Sequence, residues 1–285
     1  MVKSSPKRLN RSLGGDIALV LLLTLMAAVM VLPFVYAVVN AFKPLEEFYI
    51  FPPKFYVVNP TANNFLDLIT LTNNLWIPFS RYLFNSVYTS VTGTLLSVCS
   101  SAMAAYVLAK KHFHGKGAWS GIITISMLFT SQIIGIPQYV IMSTLGWVDT
   151  HLVVLAPMLG MTMGVLRMKQ VREGVPDSII ESARIDGAGD LRICWRIVMP
   201  SVKPAWITLG FLAFQTVWSN TGNNMIYTEN LKMLPTVLNQ IAASGIARAG
   251  VGAAATLLMM LPPILTFVIT QSRIIETMTA SGIKE

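Results

Sequence analysis

Charge is what this chain has least of: 21 Lys and Arg and 13 Asp and Glu among 285 residues, 12% in all. Soluble domains carry about 25%, so the composition sets the chain apart from ordinary globular enzymes. Cysteine is nearly absent too. Cys99 lies inside an apolar stretch and Cys194 in the most charged loop, which excludes a disulfide scaffold. Neither has a His or second Cys at metal-ligand spacing, so no metal site is expected. Catalytic signatures are missing as well. There is no H-E-x-x-H, no G-x-S-x-G, and no carboxylate pair or His cluster in a span. His112 and His114 flank Phe113 in a basic segment, where a solvated pair is the expected reading. The only Gly-Lys step, Gly115-Lys116, has neither the glycine five residues earlier nor the following Ser or Thr of a nucleotide-binding loop. Chemistry within the chain is not expected.

What the chain has instead is length without charge. Apolar residues make up 54% and the mean hydropathy is +0.61. Cutting the sequence at every charged residue leaves six long stretches: Ile17–Phe42, Tyr82–Ala109, Gly117–Val148, Thr150–Leu166, Pro204–Thr228 and Ala249–Ser272. A hydrocarbon core about 30 Å thick takes about 20 helical residues to cross. Backbone amides in lipid must be satisfied within the chain, so these stretches predict helices. The expected fold is an all-α membrane protein with six spans, roughly 17–41, 83–108, 119–143, 150–168, 204–225 and 250–272. The first is too long for a signal peptide's apolar region and is kept as a mature helix, with Pro33 inside it. Met233–Ala247 is too short to cross and is interrupted by Pro235 and Gly245, so it reads as interfacial or re-entrant.

Basic residues set the orientation. With the N-terminus inside, inner segments hold 16 of the 21 Lys and Arg and outer segments hold five. The expectation is N-in and C-in, with cytoplasmic tails 1–16 and 273–285 and the permeation domain between them at 17–272. The net charge of +8 then belongs to membrane margins; no aromatic-basic pattern suggests nucleic acid.

Inside the spans, Gly93, Ser97, Ser101 and Ala105 recur four apart, with Ser86, Ser90 and Thr94 on a neighbouring ridge. Such a face suits a pathway or a tight helix contact, and the second is adopted. Met158, Met161, Met163, Met259 and Met260 are expected as gap-filling core. Gln132, Gln215, Asn220, Asn223 and Asn224 are uncharged polar residues at membrane depth. Gln132, Gln215, Asn220 and Asn223 are the candidates for lining a pathway, and bonding between helices is the competing reading. Apart from Arg167 at the very end of the fourth, no Asp, Glu, Lys or Arg lies within a span, which argues against an ion-driven carrier with an intramembrane relay.

The segment Arg167–Lys203 differs from the rest. Its 37 residues carry seven basic and five acidic side chains. Pro176 and Ser178-Ile179-Ile180-Glu181 predict a helix start with a capping box, and Gly187 its C-terminal stop. Asp190 is placed to cap a second helix, Arg192 and Arg196 form a basic ridge, and Pro200 and Pro204 mark its junction with the fifth span. A short helix showing Ile179, Ile180 and Ile185 is either a surface helix covering the bundle rim or a docking element; the residues alone leave both open.

At this loop the sequence resembles the permease subunits of binding-protein-dependent ABC importers. Their signature is Glu-Ala-Ala, three residues, Gly, nine residues, Ile, one residue, Leu-Pro. The chain reads Glu181-Ser182-Ala183, three residues, Gly187, nine residues, Ile197, Val198, Met199-Pro200, with Ser182 and Met199 as conservative departures. The flanking Ala183-Arg184-Ile185-Asp186-Gly187-Ala188 and Trp195-Arg196-Ile197-Val198-Met199-Pro200 look most like the carbohydrate-uptake branch, similar to the smaller maltose permease subunit. Trp218-Ser219-Asn220-Thr221-Gly222-Asn223-Asn224 departs from that branch, so no solute contacts carry over.

The resemblance implies a coupling helix between spans four and five, within loop 167–203, seated in a cleft of an ATP-binding subunit. Glu181, Ser182, Ala183, Asp186, Gly187, Ile197 and Pro200 are its expected site residues; Glu181 would stabilise the helix start and Gly187 would permit close approach. It implies a multi-pass protein of the bacterial cytoplasmic membrane, working with a second permease subunit as a heterodimer, two ATP-binding subunits and an extracytoplasmic solute-binding protein. ATP and Mg would bind the partner ATPase, leaving no cofactor in this chain. Three functions are compared: import of a sugar, oligosaccharide or glycoside; the same machine for a polyamine or amino-acid derivative; and a membrane-embedded enzyme. Spans without acidic residues disfavour a cationic cargo.

Overall fold

The computed structural model describes residues 13–73, 77–129, 131–222, 225–243, 245 and 248–282. Every regular element among them is helical. In chain order these are α1 (Leu13–Ala41), α2 (Leu45–Phe48), α3 (Asn63–Asn73), α4 (Phe79–Lys110), α5 (Lys116–Ser126), α6 (Ser131–Thr144), α7 (Leu152–Leu159), α8 (Thr162–Glu173), α9 (Asp177–Ile185), α10 (Asp190–Ile193), α11 (Met199–Ser201), α12 (Lys203–Trp218), α13 (Leu234–Ala242) and α14 (Ala249–Gly282). A π turn, Cys194–Val198, joins α10 to α11. Four stretches are long and apolar enough to cross a bilayer: Gly14–Ala41, Phe79–Lys110, Leu152–Arg172 and Ala249–Ile275. A fifth is added if Asp190–Ser201 and Lys203–Trp218, which meet at 91°, are counted together.

The third expected span is not one helix. α5 and α6 have 11 and 14 residues, each short of the crossing length. Between them Met127, Leu128 and Phe129 donate to carbonyls three residues back, at 3.2, 2.9 and 3.4 Å, the tighter pattern that ends an α-helix. Ser126 Oγ adds a bond to Ile123 O at 2.8 Å, a hydroxyl competing with the backbone ladder. The fourth expected span is also interrupted, with α7 ending at Gly160 and α8 starting after the extended Met161.

The chain forms two compact units. In the first, Met1–Leu68 with Ile241–Leu257, α1 exposes its apolar surface along most of its length. The following loop is tied by side chains: Lys43 Nζ donates to Lys54 O at 2.8 Å, and the amides of Val58 and Asn59 donate to the Glu47 carboxylate. Asn64 Nδ2 donates to Ala41 O at 2.9 Å and to Lys43 O at 2.8 Å.

The second unit, Ile69–Gln240 with Leu258–Glu285, is built around α4. Its 32 residues contain no proline after Pro78, which stands just before its first turn. Ser86, Ser90, Gly93, Ser97, Ser101 and Ala105 are all buried where α4 meets α7, α8 and α12, so the small-residue face is a tight helix contact. A Cβ on Gly164 of α8 would stand 2.5 Å from Ser101 Oγ. Among the methionines, Met158 is buried and Met163 is exposed, so the latter is not core.

Contacts within this unit sort the connections to two ends. At one end Lys110 and Lys111 meet Asp177 and Asp190. At the other, Tyr82 Oη donates to Glu229 Oε1 at 2.9 Å, Asn85 Nδ2 to Asn230 O at 2.8 Å, and the amides of Tyr227 and Thr228 to Asp149 Oδ1, each at 2.8 Å. These are the two sets of loops that the charge bias assigns to inside and outside. The short α13 buries Leu234, Val237, Leu238 and Ile241, a helical one-face spacing in a segment too short to cross.

Candidate functional site

The charged loop 167–203 is folded onto one end of the bundle. α9 begins at Asp177, where Pro176 supplies an extended residue with φ −60° and ψ 134° and no side chain caps the helix. The expected capping box is therefore not formed: Ser178 lies within the first turn rather than ahead of it. Ile180, expected at the surface, is only 3% exposed. It packs with Ala183 into one apolar cluster with Ala102, Ala105 and Tyr106 of α4, Met168 of α8, Ile193, Val198 and Leu209. The opposite face carries Ile179, Glu181 and Ser182, and just past it stands Ile185, 86% exposed. One face of this helix is core, and the other is an exposed mixed face on which Ile179 and Ile185 stand among polar side chains.

Gly187 ends the helix in the left-handed region, φ +78°. Its amide donates to Arg184 O at 3.0 Å and that of Ala188 to Ala183 O at 2.9 Å, the paired bonds of a Schellman stop. Nothing lies within 4 Å of where its Cβ would be. Within this chain glycine is required by φ, not by crowding. Past it, Gly189 precedes α10 without a side-chain cap, so Asp190 does not cap as expected. The helical path then runs to Ser201 and breaks at Val202, φ −109° and ψ 26°, before α12 leaves at a steep angle.

Both aspartates are engaged with α4 instead. Lys110 Nζ lies 2.8 Å from Asp177 Oδ1 and 2.6 Å from Val175 O. Lys111 Nζ lies 2.6 Å from Asp190 Oδ1, which also receives Tyr106 Oη at 3.4 Å. The hydrogen bond from Lys110, and then its charge, hold the Asp177 carboxyl below its ordinary value. The Lys111 bond does the same for Asp190, against a smaller upward push from desolvation. Lowered carboxylate values stabilise the folded form above the unfolded carboxylate range and lose that effect only as pH falls through the folded values. Both pairs are thus charged and closed at neutral pH.

Arg172 was not among the residues expected to matter. It is 0% exposed, with Nη1 on Cys194 Sγ at 3.4 Å, Nη2 on Met199 Sδ at 2.9 Å and the guanidinium 6.0 Å from the Tyr106 ring. Its Nε finds no acceptor among the described residues. The signal was in the period: Val165, Met168 and Arg172 fall on one face of α8, and all three are buried. A cation buried against sulfur is poorly compensated, and apolar replacement of buried charge is commonly neutral or stabilising. Arg172→Met is expected to hold or raise the thermal midpoint, by about 1 kcal/mol of stability; a clear drop in the melting curve would show that the guanidinium is needed for the fold.

The loop residues singled out by the sequence are brought together on this end. Glu181, Ser182, Asp186, Gly187 and Pro200 are exposed, Ile197 is half-buried and Ala183 is buried. The pathway candidates are not gathered. Gln215 is exposed on α12, whereas Asn220 Oδ1 accepts Gly222 N at 2.7 Å and serves a turn. The Gln132 side chain and Asn223 lie outside the described residues, as does Asn224.

A bundle of long apolar helices with one charged, folded loop at its end defines a polytopic membrane protein whose distinctive surface is that loop. Residues 97–278 match the model of the binding-protein-dependent transport system inner membrane component, and the chain belongs to this family. Protein LplC of Bacillus subtilis is 27% identical over 233 residues, 79% of this chain and 75% of the relative. The arabinooligosaccharides transport system permease protein AraQ of Halalkalibacterium halodurans is 24% identical over 266 residues, 90% and 92% of the two chains. Among solved structures, a bacterial ABC transporter involved in the import of the acidic polysaccharide alginate has a chain of the same fold. It superposes with a TM-score of 0.77 at 21% identity, over 94% of this chain and 99% of that one.

Proposed function

We propose that this chain is the permease subunit of an ATP-driven importer in the cytoplasmic membrane, moving a sugar, oligosaccharide or glycoside delivered by an extracytoplasmic binding protein. It crosses six times with both ends inside; α5 and α6 together make the third crossing. The permeation domain is 17–272, between tails 1–16 and 273–285, and loop 167–203 is its coupling element. Carbohydrate cargo rests on relatives such as AraQ, whose name states arabinooligosaccharide transport, and on spans without the acidic lining a cation would need. A second permease subunit completes the pathway, and two ATP-binding subunits supply energy and hold the ATP and Mg. Their closure moves the α9 helices together and switches access from inside to outside.

The observation that carries this reading is the division of α9. One face, Ile180 and Ala183, is built into the bundle, while Ile185 stands open beside Glu181, Ser182 and Asp186. An apolar side chain so exposed next to a rigidly seated helix is what a partner's cleft takes up. Ile185→Asp changes a side chain that supports nothing in this chain, so the fold is expected to survive. Copurification of the ATP-binding subunit is expected to fall about 30-fold, the effect of losing about 2 kcal/mol at an interface anchor. Undiminished copurification would mean that the partner docks elsewhere.

A further inference from the structure

The coupling reading ties α9 to the bundle through the chain itself, by α8 before it and α12 after it. The structure adds a third attachment that the sequence order does not supply. Lys110, the last residue of α4, and Lys111 just after it reach to the start of α9 and to the start of α10 beyond its stop. Lys110, whose side chain is only 6% exposed, bonds the first residue, Asp177, together with Val175 O. Lys111 bonds Asp190 beyond the helix stop, where Arg184 also approaches at 3.8 Å. Between these two points Ile180 and Ala183 belong to the same buried apolar cluster as Ala102, Ala105 and Tyr106 of α4. The start of the helix and the segment just past its stop are thus both tied to the end of one element.

α4 then runs 32 residues without an internal break, about 48 Å at the rise of an α-helix. Its far end is fastened just as closely to the connection after α12. Tyr82 Oη donates to Glu229 Oε1, Asn85 Nδ2 to Asn230 O and to Lys232 O at 3.0 Å, and Leu234 N to Ser86 Oγ at 2.7 Å. One uninterrupted rod thus joins the surface that faces the ATP-binding subunit to the loop 229–234 at the opposite end.

We infer that α4 is a transmission strut, and that Lys110 and Lys111 are the positioning residues that fasten α9 to it, so that displacement of α9 moves loop 229–234. This rests on α9 being the coupling helix. A rigid helix transmits displacement over its length without needing a chain of rearrangements, because packed elements move as bodies. The carboxylates of both pairs stand largely in solvent, 74% and 53% exposed, and ion pairs so screened add little to stability. Cutting these two should therefore leave the fold and nucleotide turnover intact while uncoupling the far end.

The test uses the assembled transporter: this chain, its permease partner, the ATP-binding subunits and the binding protein, in nanodiscs. A fluorophore on Asn230→Cys, an exposed position, reports the emission change on adding ATP, Mg and vanadate. With Lys110→Gln and Lys111→Gln together, ATP hydrolysis is expected to stay at the wild-type rate. The change at position 230 should fall at least about fivefold, the lower range of ordinary coupling between sites. Exchanging one pair, Lys110→Asp with Asp177→Lys in a chain that keeps Lys111, should restore the share carried by that ion pair, which a loss of general stability would not permit. An undiminished signal in the glutamine variant, a parallel loss of hydrolysis, or no recovery on exchange overturns the strut. If the unmodified complex neither binds the ATP-binding subunit nor hydrolyses ATP, the coupling reading itself fails instead.

Discussion

Gly187→Val is expected to abolish ATP-driven transport by the assembled importer while the bundle stays folded. Gly187 sits at φ +78° and closes the Schellman stop of α9 through the amides of Gly187 and Ala188. For an L residue the left-handed region costs roughly 1–2 kcal/mol, and a β-branched side chain is a genuine outlier there. Nothing in this chain lies within 4 Å of the missing Cβ, so the penalty falls on the backbone. The last turn of α9 must unwind, carrying Ile185 away from its place and altering the path to Asp190. The effect on global stability is expected to be small, because the stop is at the surface, and thermal melts should shift by only a few degrees. Solute-stimulated ATP hydrolysis should drop by tenfold or more, about 1.4 kcal/mol of lost coupling. Gly187→Asn separates two causes. Asparagine tolerates the left-handed region, so retained activity would assign the requirement to φ. Failure equal to that of valine would assign it to a partner surface pressed against the turn. Normal transport by the valine variant would remove α9 from the mechanism.

The legible parts of this molecule are those written in local order. The helix ends at Pro78, Pro176 and Gly187 follow from residues that limit the backbone, and the face Gly93, Ser97, Ser101, Ala105 follows from a four-residue period that tertiary packing then uses as it stands. Ile180 shows where local reading fails. Beside Ile179 and Ile185 it looks like one exposed patch, and only its place in the buried cluster that includes Met168 and residues of α4 shows that it turns inward. Ser178 failed as a cap for a similar reason: Pro176 already supplies the extended entry, and the nearby Asp177 is engaged by Lys110, 67 residues earlier. Partners that distant leave no spacing to recognise. Arg172 was hidden by its charge, since the one face it shares with Val165 and Met168 is visible only if a cation is admitted to an apolar stripe. The break in the third span lay in Ile123-Thr124-Ile125-Ser126, where hydroxyls and β-branched residues weaken a helix without any proline or glycine. Of the candidate site, the loop 167–203 was readable as a motif, while its attachment to α4 was not.

Gly164→Leu is expected to be the most disruptive single change away from loop 167–203. α4, α8 and α12 converge at this glycine. Its Cβ would stand 2.5 Å from Ser101 Oγ, 3.0 Å from Leu209 Cδ1 and 3.3 Å from Ser101 Cβ. Ser101 and Leu209 are themselves fully buried, so neither can swing into open space. Overpacking a well-filled interior costs about 1–3 kcal/mol, and more when backbone must move. In lipid the loss is sharpened, because helix association there rests on close packing and not on exclusion of water. A leucine at 164 should therefore part α8 from α4, lower the thermal midpoint in detergent by many degrees and reduce the folded yield. Gly164→Ala tests the contact more finely. Alone it is expected to destabilise, since a single methyl already meets Ser101; combined with Ser101→Gly, which clears the opposing side chain, much of that loss should return as a non-additive gain of about 0.5–3 kcal/mol. Strict additivity of the two would show that the helices at this point are held apart rather than in contact, and α4 could not then be the packed rod on which α9 depends.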